Sequence, residues 1–142
     1  MKITRMFRSA AAMTLFVAFN SAADLAVVVN PGNGLTEISV KDAQRLYLGK
    51  TGKFPGGGKA EVFDQSGGEG SRAVFYEKVV GKSESQAKSY WSKQIFTGKG
   101  TPPEEVGGDG DVKAKVSANP NAIGYMDASQ VDGSVKTVLV VQ

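Results

Sequence analysis

Leu25-Ala26-Val27-Val28-Val29 is apolar at every position and stops abruptly at Asn30-Pro31-Gly32-Asn33-Gly34. A strand with one wet face alternates between apolar and polar residues, whereas a run without alternation has both faces covered. The chain must therefore place packing elements on both sides of its sheet. Val40, Ala43, Leu46 and Tyr47 recur at helical spacing behind Ser39, with Asp42 placed as in a capping box and Gly49 as the closing residue. Ala60 to Phe63 reads as a short strand, the glycine-dense stretch 50–59 before it as a surface loop, and Asp64 to Ser71 as a turn. A second helix carries Phe75, Tyr76, Val79 and Val80 and ends at Gly81. A third starts at Ser83 and carries an apolar stripe of Ala87, Tyr90, Trp91 and Ile95, which predicts a core-facing surface. Residues 98–110 read as a Gly/Pro loop, after which Asp111 caps a short helix with Val112 and Val116. Asn119-Pro120-Asn121 breaks that helix, and Ile123–Met126 and Val135–Val141 are the last strands. Strands alternating with helices predict an α/β fold with a three-layer, mainly parallel sheet.

The ends decide how the charge is read. Lys2, Arg5 and Arg8 precede an apolar run from Ala10 to Phe19 that contains no acid, and Ser21-Ala22-Ala23 supplies the small residues of a cleavage site. This predicts a signal peptide over residues 1–23 and one domain over 24–142. The run is too short for the roughly 20 apolar residues that span a bilayer. Removing those three cations from the 17 basic residues leaves 14, equal to the 14 acids. The basic character of the full sequence thus belongs to the targeting segment, and no nucleic-acid partner is expected.

The chain has no cysteine and no histidine, which removes disulfides, thiolate metal sites, the commonest general base and the commonest transition-metal ligand. No catalytic residue, metal or cofactor is expected, and the chain reads as a binding protein rather than an enzyme. Gly81-Lys82-Ser83 ends like a nucleotide-binding phosphate loop, but Tyr76 stands where that motif needs glycine. Gly107-Gly108-Asp109-Gly110-Asp111 has its second aspartate one place early for a calcium repeat and reads as a polar turn.

The informative local feature is Ser66-Gly67-Gly68-Glu69-Gly70-Ser71-Arg72. Glycines let backbone N–H groups converge, a helix start adds partial positive charge, and hydroxyls and a guanidinium complete an anion cradle. The candidate ligand-binding residues are therefore Ser66, Gly67, Gly68, Gly70, Ser71 and Arg72. Glu69 opposes this reading unless it points outward; if it caps its own helix, it fills the site from within.

The order of segments resembles the phosphate ABC transporter substrate-binding proteins. The resemblance rests on Val28-Val29-Asn30-Pro31, on Ile38-Ser39-Val40-Lys41-Asp42 leading into Leu46-Tyr47-Leu48-Gly49-Lys50, and on the glycine-serine turn with Arg72 and Phe75. It continues through Tyr90-Trp91 to Ile95-Phe96-Thr97-Gly98-Lys99-Gly100, and through Asn119-Pro120-Asn121-Ala122-Ile123-Gly124-Tyr125. It implies one lobe of a class II periplasmic-binding-protein fold, a periplasmic location, capture of phosphate or a similar small oxyanion, and an ABC permease or membrane sensor as partner. Two departures stand out. Gln65 replaces the family's turn arginine, and Glu69 and Ser71 flank Gly70 where serine and threonine flank glycine. The length also matches one lobe where the receptors close two, so high affinity would need a homodimer, another protein or a different ligand. The alternative reading is an extracytoplasmic interaction or sensor-accessory module that kept the fold and lost the anion site.

Overall fold

The computed structural model describes residues 24–142; the expected signal peptide lies outside the described residues. Five strands and four helices alternate: β1 (Leu25–Val29), α1 (Val40–Tyr47), β2 (Glu61–Gln65), α2 (Gly70–Phe75), α3 (Glu84–Phe96), β3 (Glu104–Gly107), α4 (Asp109–Ala118), β4 (Ala122–Asp127) and β5 (Lys136–Val141). Past Phe75, α2 widens over Tyr76–Val80 and ends with the Gly81 N–H on the Tyr76 carbonyl at 2.7 Å, Gly81 sitting at φ 77°. The sheet order is β3-β2-β4-β1-β5.

Every β1 side chain is buried, and alternate residues go to opposite faces. Leu25, Val27 and Val29 join Leu46, Tyr47, Phe75, Val79 and Tyr125 on the side of α1 and α2. Ala26 and Val28 join Val112, Val116 and Met126 on the side of α4. The unalternated run thus lies at the centre of a three-layer α/β domain. In direction the sheet is mixed: β2 is parallel to β3 and β4, while β1 is antiparallel to β4 and β5. Four strands therefore point one way and β1 alone is reversed, a fact that apolar patterning does not encode.

Local signals place most helix ends. Ser39 Oγ accepts from the Asp42 N–H at 3.0 Å, and Ser83 and Gln86 form a reciprocal capping box at 2.9 and 3.1 Å. After α1, Lys50 N–H reaches the Arg45 carbonyl at 2.8 Å and Gly49 N–H the Leu46 carbonyl at 3.2 Å, a Schellman closure with Gly49 at φ 69°.

Three expectations are corrected. Asp64 and Gln65 are not in the turn but end β2, both buried. The loop read over 98–110 contains β3, whose sequence Glu-Glu-Val-Gly has little strand propensity; parallel pairing of Phe63 with Glu104 and Asp64 with Glu105 organises it. The cap of α4 is Gly108, and Asp111 sits inside the first turn, its carboxylate accepting the Gly108 N–H at 3.2 Å. The α3 stripe is also only partly core. Ala87 and Trp91 are buried, Tyr90 is half-buried, and Ile95, on the last turn, is 55% exposed.

Candidate functional site

Pairing between β2 and β3 continues into the turn, where the Ser66 N–H donates to the Gly107 carbonyl at 3.0 Å. The Glu69 N–H then folds back onto the Ser66 carbonyl at 3.3 Å. Gly68 sits at the turn's third position with φ 94°, a left-handed conformation that favours glycine. Helix α2 follows, and the N–H groups of Gly70 and Ser71 precede its first internal bond. Glu69 occupies the cap position without a side-chain capping bond. Its carboxylate lies instead against the start of α4, since a Cβ on Gly108 would be 2.5 Å from Glu69 Oε1.

The six candidate residues do not face one space. Gly67 and Arg72 line a cleft of about 610 Å3 beside α3 and β3. Gly70 and Ser71 line a separate cleft of about 420 Å3, together with Asp24, Leu25, Glu69, Val74, Asp109 and Asp127. Ser66 and Gly68 lie in neither lining and build the turn itself. The helix start therefore opens beside four carboxylates. Among the described residues these form no metal-binding group.

Arg72 lines the larger cleft and enters a partly buried ionic cluster. Its Nε donates to Glu84 at 2.8 Å, and its Nη1 lies 3.4 Å from Asp64 and 3.3 Å from Glu105. Nη1 also donates to the Gln65 carbonyl, and the guanidinium stands 4.8 Å from the Tyr76 ring centroid. Burial opposes its charge, but Asp64, Tyr76 and Glu105 more than offset that and raise its pKa above the ordinary value.

Asp64, 2% exposed, is the cluster's centre. Its oxygens accept from the Gln65 N–H at 2.8 Å and from the hydroxyls of Tyr76 and Tyr125. A buried carboxylate requires such partners, because an unpaired one is prohibitively costly. The aromatic shell fixes the hydroxyls in place: Phe75 stacks on Tyr125 at 3.8 Å and meets Tyr47 edge-on at 4.6 Å. Gln65, fully buried, points inward. Its Nε2 donates to Asp109 at 2.8 Å and to the Tyr125 carbonyl at 2.9 Å, while Oε1 has no hydrogen-bond partner among the described residues. Sequence reasoning missed Asp64, Tyr76, Tyr125, Glu84 and Glu105. Their residue types were visible, but the contact of Asp64 with Tyr125 joins positions 61 residues apart.

Burial first, and then the Asp64 charge, raises the pKa of Tyr47, Tyr76 and Tyr125 far above the ordinary 10.0. Their contribution to stability is complete below pH 10. It is lost as the pH rises further, because the unfolded chain then releases phenolic protons that the folded chain retains. Alkaline titration should show tyrosinate absorbance from these three rings appearing together with loss of far-ultraviolet circular dichroism. Ionisation of all the tyrosines near pH 10 with the dichroism unchanged would contradict the buried network.

No protein-family model matches the chain. Solved structures do. One is a candidate phosphate ABC transporter substrate-binding protein with bound phosphate from Clostridium perfringens, 25% identical, with a TM-score of 0.65 over 80% of this chain and 43% of that one. An ABC-type phosphate transport receptor from Vibrio cholerae is 22% identical, with a TM-score of 0.63 over 80% and 44%. PstS from Borrelia burgdorferi is 16% identical, with a TM-score of 0.61 over 80% and 46%. The chain spans less than half the length of each. Its mixed five-stranded sheet and flanking helices have the fold of the phosphate ABC transporter substrate-binding proteins, over less than half of those proteins' length.

Proposed function

We propose that the chain is an extracytoplasmic binding module of the phosphate-receptor type, without enzymatic activity, that receives a small oxyanion at the start of α2. The observation carrying this reading is the uncapped helix start. Gly70 and Ser71, whose N–H groups precede the helix's first internal bond, line a cleft, and Glu69 leans toward Gly108 instead of closing onto them. The phosphate-bound structure with the same fold supports it, as do the absent histidine and cysteine. The turn Ser66-Gly67-Gly68 sets the direction of the helix start, Gly70 and Ser71 donate, and Arg72 braces β2, α2, α3 and β3 through its carboxylates.

Electrostatics set the strength. Asp24, Glu69, Asp109 and Asp127 line the same cleft, and one unit charge about 4 Å from another repels it by roughly 4 kcal/mol at an effective dielectric near 20. Tight capture therefore requires a covering surface with cationic groups, supplied by a second copy or by a membrane partner such as an ABC permease or sensor. Isothermal titration with phosphate, sulfate and acetate should give a weak, saturating heat for phosphate, strengthened in Glu69→Gln. Flat titrations for every anion in both proteins would remove the binding function.

The second reading, an interaction module that keeps the fold without the anion, is favoured by the three carboxylates around Arg72 and the four in the smaller cleft. It requires flat anion titrations together with stoichiometric complex formation with a purified envelope partner.

A further inference from the structure

The larger cleft has a build that the oxyanion reading does not use. One side is apolar: Ala87, Trp91 and Ile95 of α3 with Pro102 and Pro103. The inner end is ionic, and its charges do not balance. Arg72 meets Asp64, Glu84 and Glu105, a surplus of two negative charges, which the exposed Lys88 reduces to one. The arginine side chain is 13% exposed, whereas those of Glu84 and Glu105 are 38% and 51% exposed. Glu84 gives Arg72 its Oε1 and Glu105 its Oε2, so each keeps a second oxygen for another donor. Ile95 presents apolar surface that no core contact explains.

We propose that this cleft binds an organic cation, with a protonated amine against Glu84 and Glu105 and an apolar body between Trp91, Ile95, Pro102 and Pro103. About 610 Å3 is the volume of a small-molecule site. Charge-assisted hydrogen bonds hold the amine, and Trp91 adds apolar wall. A carboxylate of the same shape meets the surplus negative charge, and a neutral alcohol offers the second glutamate oxygens only an uncharged, weaker hydrogen bond and leaves the surplus charge unbalanced. Gly70 and Ser71 line the other cleft, so this site stands or falls independently of oxyanion binding.

Trp91 is the chain's one tryptophan, so its fluorescence reports directly on the cleft wall. Titration with hexylamine at neutral pH should give a saturating change that hexanoate and hexanol do not reproduce at the same concentrations. Glu105→Gln should weaken hexylamine about tenfold, the loss of one charged hydrogen bond, and Lys88→Gln should strengthen it. Added salt should weaken it. Hexanol binding as well as hexylamine, hexanoate binding more tightly, or no saturable response would overturn the proposal. So would unchanged affinity in a folded Glu105→Gln protein; if that variant fails to fold, unchanged or weaker binding by Lys88→Gln overturns it.

Discussion

Replacing Asp64 by alanine is expected to destabilise the fold by about 3–5 kcal/mol, the cost of breaking a buried ion pair from one side. A domain of this size is stable by only about 5–15 kcal/mol, so the variant should sit near its unfolding transition. The cause is not the pair alone. Without the carboxylate, the hydroxyls of Tyr76 and Tyr125 and the N–H of Gln65 lose their acceptor. Arg72 keeps Glu84 and Glu105, but both are far more exposed than Asp64. Asp64→Asn, which retains one carbonyl acceptor, should fall between wild type and alanine. Urea unfolding followed by circular dichroism measures both. A loss below about 1 kcal/mol for the alanine variant, the size of an ordinary substitution, would mean that the cluster does not hold β2, α2, α3 and β3 together.

Gly124→Ala should cost about 1–3 kcal/mol although it adds a single methyl group to a strand. Gly124 pairs with Val28 in the middle of the sheet, on the face covered by α4. A Cβ there would stand 2.5 Å from Val112 Cγ1 and 3.3 Å from Val116 Cγ2. Valine has one strongly preferred rotamer in a helix, so Val112 cannot swing aside and the helix must lift. Val112→Ala in the same chain removes the clashing atom and should recover part of the loss, with a coupling of about 0.5–3 kcal/mol in thermal or urea unfolding. Strictly additive effects would mean that α4 does not pack on Gly124 as closely as described.

These two positions show where sequence reading succeeds and where it stops. The string Asn119 to Tyr125 was legible as a resemblance, and its glycine gains a reason only when α4 is seen lying against it. In the turn, the glycines and the helix start were legible, and Gly68 does take a positive φ, which glycine accommodates. The grouping of six residues into one site was not decidable from their adjacency. A helix turns by about 100° per residue, so Ser71 and Arg72 face different clefts although they are neighbours in sequence. β3 was missed because its residues carry no strand signal of their own and depend on β2 for their conformation.

What the sequence by itself determined is the set of local preferences. An unalternated apolar strand had to lie inside a three-layer sheet; Ser39, Ser83, Gly49 and Gly81 had to start or stop helices; and a chain without histidine or cysteine forgoes the commonest catalytic and metal chemistry. Each follows from the covalent and solvation properties of a few neighbouring residues. The tertiary structure alone decided the reversal of β1, the burial of Asp64 among two tyrosines and an arginine, and the division of the turn between two clefts. Those depend on contacts between distant positions, whose energies compete only once the chain has folded and the dielectric around the charges has dropped.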